Sequence, residues 1–497
     1  MRLFDFASRS DYWVALMPEA VLVLTAIAVF MGDVFTREGD DQSEWTLTVV
    51  VFGVITAAIA NGLLVNSTSV PDALLAVDGI RWVANYIVLG SLALVIAYAG
   101  PYLDREGLPR ADFYGLALLA AVGMMLLIAA QDLILLFVAL ELMSIAVYIL
   151  TGYDRRNPRS SEAALKYFLV GAFASAFLLY GIALLYGVTG TTRLSTAGPA
   201  IAAAVANGDL LLTAGIGMLV IGLGFKVGAV PFHMWTPDAY EGAPTPVTAF
   251  MATGVKAAAF VALLRILTID LVGASGLWRN AVWWIAVLTM IVPNLIALSQ
   301  DNVKRMLAYS SLAHAGYLLV GVVAASALGR SASLFYLAAY TVMTVGSFAV
   351  VFHVAGRGDR DSLVDDYRGL GWRRPWLGVA LVIFLLSLAG FPPTAGFLGK
   401  LYLLQAAVEA GETALAVTLV LTSLVAYYYY LRIVWKMYFD AVPEEDTGPA
   451  PAPLGFGITT AICAILLIIG GLTPGRAIDA VEDAVDQRAT AIASQNE

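Results

Sequence analysis

Apolar stretches of about twenty residues, separated by short polar loops, recur along the whole chain and narrow the folds open to it more than any other feature. By hydropathy they lie near 13–31, 45–65, 79–99, 111–129, 131–151, 163–187, 210–232, 244–267, 281–299, 303–323, 332–354, 376–409, 412–438 and 455–471. A hydrocarbon layer ~30 Å thick is crossed by ~20 helical residues. Backbone exposed to lipid must satisfy its own hydrogen bonds. The expected fold class is therefore an all-α polytopic membrane protein of about fourteen transmembrane helices. With 60% hydrophobic and 13% charged residues and a mean hydropathy of +0.82, a soluble globular protein is excluded. The first stretch lacks a small-residue cleavage site and is interrupted by Pro18 and Glu19, so it reads as a retained helix.

Inside these stretches the charges are few. Four of the six lysines, Lys166, Lys226, Lys256 and Lys400, lie within them. A charged side chain at the bilayer centre costs roughly 2.5–3.5 kcal/mol on insertion scales, which marks each as a functional-site candidate. Loops rich in Lys and Arg stay in the cytoplasm. One side of the predicted topology collects about 15 of the 28 basic residues, among them Arg155, Arg156, Arg159, Lys304, Arg305, Arg357, Arg360, Arg373 and Arg374, and the other about 9, including Arg265. That asymmetry places both termini in the periplasm. The net charge of −9 comes from loop and tail carboxylates such as Asp33, Asp40, Asp41, Glu444, Glu445 and Asp446, read as solvated, and implies no nucleic-acid partner. One cysteine, Cys463, excludes a disulfide framework or a thiolate-held cluster within the chain. Three histidines are few for haem, and no glycine loop suits a nucleotide. Redox chemistry, if any, belongs to partners.

Two stretches do not read as simple helices. The seventh ends GFKVGAVPFHMWTPD, with Pro231 just after Lys226, and the twelfth contains LAGFPPTAGFLGKLY, with Pro392 and Pro393 shortly before Lys400. Proline frees a backbone carbonyl and glycine loosens the turn, so helices 7 and 12 are expected to be discontinuous. They lie five spans apart, and an odd offset makes them cross in opposite directions, as an inverted repeat requires. The expected organisation is an N-terminal three-helix segment (1–110), two inverted five-helix repeats (111–270 with helices 4–8, 271–440 with helices 9–13), and a final loop, helix and tail (441–497).

The string FKVGAVPFHMWTPDAYEGAPTPVTAF followed by GVKAAAF, with QDNVKRMLAYSSLAHAGYLLVG and SLAGFPPTAGFLGKLYLL at later intervals, resembles the antiporter-like membrane subunits of respiratory complex I. YEGAPTPVTAF and VAYYYYLRI are similar to the branch usually called subunit N. The resemblance runs over roughly residues 110–440. It implies two inverted repeats that each form a half-channel. It also matches Glu141 and Lys226 to the family's ion pair, Lys256 to its central lysine, Lys400 to its exit-side residue and Lys166 to an additional lysine. It further implies FMN, iron–sulfur clusters and quinone in partner subunits and no cofactor in this chain. The partners expected are other membrane-arm subunits, small ones and a second antiporter-like one, together with lipid and protons. The setting would be the bacterial inner membrane.

The physics of the residues is compatible with that role. Desolvation disfavours a lysine's ammonium form and a nearby carboxylate such as Glu141 restores it, so the pair is switchable. Two ammonium groups ~10 Å apart at an effective dielectric of ~20 repel by about 1.7 kcal/mol, enough to pass a charge change along a row. Rival readings stay open. Glu141 is either half of that switch or a packing contact. Lys166 is either in the row or snorkels to the interface. His233 and His314 are relays between lysines or helix–helix hydrogen bonds. His353 reads as interfacial and Arg432, beside Tyr427 to Tyr430, as an interface anchor. Asp238 and Glu241 either gate proton uptake or cap the eighth helix. The tail after Pro474 has helical apolar spacing through Ile478, Val481 and Val485, suited to a surface or a neighbouring subunit. Three functions remain at this point: a proton-translocating subunit of an NADH:quinone oxidoreductase, a sodium/proton antiporter subunit, and a scaffold that does not pump.

Overall fold

The computed structural model describes residues 11–35, 42–65, 74–356, 358–359, 362–441 and 454–493. Asp40, Asp41, Arg357, Arg360, Glu444, Glu445 and Asp446 lie outside the described residues. The bundle is helical. Its crossing helices are α1 (Met17–Phe35), α2 (Gln42–Leu64), α3 (Gly79–Glu106), α4 (Arg110–Ala129), α5 (Leu133–Thr151), α6 (Pro158–Thr189), α7 (Leu210–Val227), α8 (Thr245–Asp270), α9 (Val272–Ala297), α10 (Val303–Ala324), α11 (Ala327–Val354), α12 in two halves (Pro375–Ala389 and Ala395–Glu409), α13 (Thr413–Tyr438) and α14 (Leu454–Leu472). Thirteen of these among the described residues are long and apolar enough to cross a bilayer unbroken, and α12 falls short only because it is divided.

Both expected breaks are present. α7 stops at Val227 because Gly228 takes a left-handed conformation (φ +74°), and a turn then leads to a short helix, Thr236–Gly242. A Cβ at Gly228 would also lie 2.6 Å from Leu312 Cδ2, so any other residue here would have to push that side chain of α10 aside. The first half of α12 ends in the same way at Gly390 (φ +89°). The freed backbone groups are satisfied by protein: Val230 N donates to Thr289 Oγ1 of α9 at 2.9 Å, and Tyr427 Oη donates to the Gly390 carbonyl at 3.0 Å.

The inverted repeat is visible in packing and in the loops. In the first copy α4 packs on α5, α5 on α6, α6 on α7, and α8 returns against α4; α9 to α13 repeat this set of neighbours. The link before α5 pairs with the link after α6 through Leu133 N to the Thr192 carbonyl (2.9 Å) and Leu194 N to the Gln131 carbonyl (3.0 Å). The link before α10 pairs with the link after α11 in the same way, through Val303 N to the Ser362 carbonyl (2.7 Å) and Val364 N to the Asp301 carbonyl (2.9 Å), with the same sequence separation. Five crossings separate the two pairings, so they lie on opposite faces of the bundle. α8 and α10 have no exposed residue in their most apolar windows and form the centre.

Differences from the sequence reading have local causes. Leu194–Ala206 is a helix that hydropathy passed over, because thirteen residues are too few to span. α9 begins earlier than position 281, and Trp278 is buried there, donating its indole N–H to the Leu271 carbonyl at 3.0 Å. The tail forms the helix Gly475–Ala493, which buries Val481 and Val485 against its own bundle, packing on α3 and α11.

Two buried ion pairs tie the N-terminal helices to the rest. Arg81 of α3 donates to Glu19 of α1 at 2.8 Å. Arg265 at the end of α8 donates to Asp78 at 2.9 Å, while Asp78 also caps α3 by accepting from Arg81 N at 3.0 Å. Removing one member of a buried pair strands the other charge. Asp78→Ala is therefore expected to destabilise the fold by roughly 3–5 kcal/mol. The check is a lower melting temperature and a lower membrane abundance of the assembled chain, with Asp78→Asn, which keeps the cap, losing less.

Candidate functional site

α7 ends with Lys226 pointing into the first repeat, buried at 3% exposure. Its Nζ donates to the Tyr148 hydroxyl at 3.4 Å and lies 5.1 Å, 5.4 Å and 5.8 Å from the ring centres of Tyr148, Tyr167 and Phe225. Three ring faces partly replace the water the ammonium has lost. Glu141 lies two turns before Tyr148 on α5 and accepts a hydrogen bond from Ser175 of α6. No Glu141 oxygen comes within the 4.0 Å of an ion pair with Lys226, so the pair is open here and Tyr148 takes the lysine instead. The carboxylate still acts electrostatically on both Lys226 and Tyr148.

Lys256 follows a π-helical turn, Met251–Val255, in the middle of α8. Such turns are frequent at functional positions, because the extra residue re-aims the side chains that follow. Lys256 Nζ donates to both the carbonyl and the hydroxyl of Ser311 on α10 and sits 5.3 Å from the Tyr340 ring centre on α11.

One turn further along α10 is His314, 1% exposed. Its Nδ1 is 2.6 Å from the Tyr336 hydroxyl and its Nε2 3.2 Å from the Tyr430 hydroxyl, which in turn bonds to Ser310. Lys256 and Lys400 both act on it electrostatically. A neutral imidazole donates from one nitrogen and accepts at the other, so a ring held at both can hand a proton across by exchanging tautomers.

Lys400 lies on the second half of α12 and folds back over the break. Its Nζ donates to the carbonyls of Leu388 (3.0 Å) and Ala389 (2.9 Å), the last residues of the first half, and sits 4.8 Å from the Tyr317 ring centre. Free carbonyls at a helix C-terminus form a partial negative charge suited to an ammonium. Tyr317 accepts from Asn294 at 3.2 Å, and Asn294 accepts from Tyr429 at 2.9 Å. Ser310, Ser311, His314 and Tyr317 share one stripe of α10 at helical spacing. That stripe joins Lys256 of the first repeat to Lys400 of the second.

Two sequence-derived candidates stand apart from this row. Lys166 is on the outer face of α6, whose inward stripe runs through Ala163, Tyr167 and Gly171, and its side chain is 46% exposed. It bonds to Glu162 (2.7 Å) and Asp238 (2.9 Å). His233 is half-buried in the break after α7, and its Nδ1 has no hydrogen-bond partner among the described residues. Asp238 and Glu241 do not cap α8, whose first residue follows Pro244 with no side-chain cap. They bind Arg305 of α10, each at 2.8 Å, around a cavity of about 250 Å³. Burial raises the Asp238 carboxyl, but hydrogen bonds from Lys166 and Arg305 outweigh it and hold the group below its ordinary range.

Other residues were read differently or not at all. Lys304, counted as a loop cation, is buried, donating to the Ala243 carbonyl (2.8 Å) and Asp359 (3.0 Å). Asp359 also accepts from Arg105 (3.3 Å) and Thr245 (2.7 Å), so this carboxylate joins α3, α8 and α10 across the two repeats. Tyr148, Ser311, Tyr336 and Tyr430 were not singled out. Arg432 is bonded to Asp301 and to the Gln300 carbonyl at 3.2 Å. Cys463 is buried. Among the described residues no group of three or more His, Cys, Asp or Glu is placed to hold a metal ion.

The chain's residues 130–426 match the sequence pattern of the family described as NADH:quinone oxidoreductase/Mrp antiporter, transmembrane. The NADH-quinone oxidoreductase subunit N of Trichlorobacter lovleyi is 43% identical over 473 residues, spanning 95% of this chain and 96% of the relative. That of Mycobacterium tuberculosis is 45% identical over 390 residues, 77% and 72% of the two chains. Among solved structures, a chain of respiratory complex I from Thermus thermophilus with bound aureothin superposes with a TM-score of 0.81 at 35% identity, covering 94% of this chain and 100% of that one. A chain of the Mrp complex from a Dietzia species has the same fold, with a TM-score of 0.80 at 23% identity over 94% and 97%.

Proposed function

The chain belongs to the NADH:quinone oxidoreductase/Mrp antiporter membrane family, and from that premise we propose that it is the antiporter-like subunit N of a proton-translocating NADH:quinone oxidoreductase. The observation that carries the reading is a row of buried ionisable groups running through both repeats: Lys226 bonded to Tyr148, Lys256 to Ser311, His314 to Tyr336 and Tyr430, and Lys400 over the Tyr317 ring. Buried ammonium groups are costly and persist where they have work to do.

In this reading 111–270 and 271–440 act as two half-channels, with 1–110 and 441–497 bracing them. The charged face is cytoplasmic and both termini are periplasmic, in a bacterial inner membrane. The Lys166–Asp238–Arg305 cavity is the cytoplasmic vestibule, with Asp238 kept ionised to attract cations. When Glu141 leaves Ser175 and approaches Lys226, the ammonium form of that lysine is favoured. When it withdraws, to the open arrangement seen here, Lys226 holds its proton less firmly, and the charge passes by way of Lys256 and His314 to Lys400 and out. Tyr148 sits where it can hold Lys226 in the open state. Lys166 serves uptake, and His233 lies in the break after α7.

Quinone reduction takes place in partner subunits, which hold FMN and the iron–sulfur clusters; this chain has no redox centre of its own. The partners are the other membrane-arm subunits, including small ones and a second antiporter-like subunit. The test is to tag the chain at its C-terminus, isolate what co-purifies, and measure protons translocated per electron in vesicles. Flavin and iron–sulfur subunits should arrive with NADH:quinone activity. Lys226→Ala and Lys400→Ala should lower the proton-to-electron ratio while the complex still assembles. An unchanged ratio would make the chain a scaffold, and sodium-dependent exchange without an electron donor would make it an antiporter subunit.

A further inference from the structure

The π turn of α8, Met251–Val255, stands immediately before Lys256, and the aim of that lysine depends on it. The start of α8 is fixed, because Thr245 donates its hydroxyl to Asp359 at 2.7 Å. From that end an α-helix turns ~100° per residue, and the extra residue of a π turn rotates everything after it by about that angle. Without the turn, Lys256 would point away from Ser311 of α10, the partner it holds here. Such turns are rare, so contacts from outside α8 are expected to hold this one. They come from three neighbours. Thr151 of α5 donates to Met251 Sδ at 3.4 Å. Gly254 faces Met124 of α4, whose sulfur would lie 3.0 Å from a Cβ there. Ser91 of α3 lies 2.6 Å from Thr253, hydroxyl to hydroxyl, with both residues buried. Thr253 spends its own proton on the Ala249 carbonyl at 2.7 Å, so Ser91 is the donor and Thr253 the acceptor. A hydroxyl bonded to the carbonyl four residues back competes with the α ladder and favours a local departure from it. Ser91 fixes that hydroxyl in place.

We propose that Ser91 is a positioning residue for proton transfer, acting through Thr253 and the π turn to keep Lys256 aimed at Ser311. This rests on the reading of Lys256 as a proton carrier given above. Ser91 is the only polar side chain from Ile87 to Ala97 of α3, and it lies outside residues 130–426, the stretch that carries the family pattern. The N-terminal three-helix segment thereby takes a part in the transfer beyond bracing the two repeats. A hydrogen bond that only joined two helices would add to their association and leave the aim of Lys256 unchanged when removed.

The experiment uses the intact assembly, tagged, purified and returned to vesicles. Ser91→Ala and Thr253→Val, the second exchanging a hydroxyl for a methyl group of the same size, should each cut proton movement through this subunit by roughly a hundredfold, the scale on which a displacement of about 1 Å acts. Thr253→Ser keeps the hydroxyl and should stay near the wild-type ratio of protons to electrons. The Ser91→Ala/Thr253→Val double variant should be no worse than Thr253→Val alone, because both changes break one link. Cryo-electron microscopy of the Ser91→Ala assembly should show residues 251–256 returned to regular α-helix and Lys256 withdrawn from Ser311. An unchanged π turn and an unchanged bond from Lys256 to Ser311 in that map overturn the proposal whatever the pumping does. So does a Thr253→Ser variant that fails as Thr253→Val does, or a double variant whose loss is the product of the two single losses. Lys226→Ala is the control. Normal translocation in Ser91→Ala beside a lowered ratio in Lys226→Ala overturns the positioning and leaves the proton reading standing, whereas normal translocation in both overturns the proton reading and the part of Ser91 with it.

Discussion

Lys256→Met is expected to cut proton movement through this subunit by about a hundredfold or more, the usual scale for loss of a positioned proton-transfer group, while leaving the assembly intact. The reasoning starts from position. Lys256 joins the first repeat to the α10 stripe by its bonds to Ser311. Methionine has nearly the same length and no charge, so it fills the space and relieves a desolvation cost. Replacing a buried ion by an apolar side chain of similar volume is often neutral or stabilising. A lysine that only packs would therefore leave both melting temperature and pumping near the wild-type level, whereas a relay would be missed in pumping and not in melting temperature. Lys256→Arg sharpens the test: arginine keeps the charge and cannot release a proton in a protein. If charge alone mattered, arginine would restore function. If the proton must leave, it fails as methionine does. The measurement is proton uptake by vesicles per quinone reduced, beside the amount of assembled complex. A variant that pumps at the normal ratio would remove Lys256 from the path.

The spans, the breaks and the deep lysines are legible because each leaves a mark in one dimension. Lys226, Lys256 and Lys400 are conspicuous as charges in apolar runs, and Pro231 and Pro393 as prolines where a helix should continue. What joins the lysines is not legible. Tyr148, Tyr336 and Tyr430 look like ordinary aromatic core, and Ser311 like a small packing residue. Their role comes from α10 lying between the repeats, with one stripe facing α8, α11 and α13. Lys166 shows the converse. Hydropathy places it in a span, but one residue's step around α6, from Tyr167 on the inward stripe to Lys166 outside, separates the core from the surface. Lys304 was hidden by its neighbour: beside Arg305 at a helix start it reads as a loop cation, and only the return of the segment holding Asp359 buries it. The Glu141–Lys226 pair depends on a distance of a few ångströms, and no sequence pattern says whether a switch is open or closed.

His314→Gln is expected to separate the two halves of the row. Glutamine offers a donor and an acceptor, so it can keep one hydrogen bond to Tyr336 and one to Tyr430, and the packing of α10 against α11 and α13 is largely retained. It cannot take a proton at one end and give one up at the other. Transfer from Lys256 to Lys400 should then fall by roughly a hundredfold, while Lys256 and Lys226 still exchange protons with the charged face. The distinguishing measurement is therefore a pair: steady proton translocation per electron, and the fast proton uptake that accompanies a single turnover. In His314→Gln the steady ratio should drop while the single-turnover uptake persists, because the first half still loads. In Lys226→Ala both should be lost. If His314 were only a helix–helix hydrogen bond, glutamine would leave both readouts at the wild-type level, and the connection between the repeats would have to run through another group on α10, with Tyr317 the next in line beside Lys400.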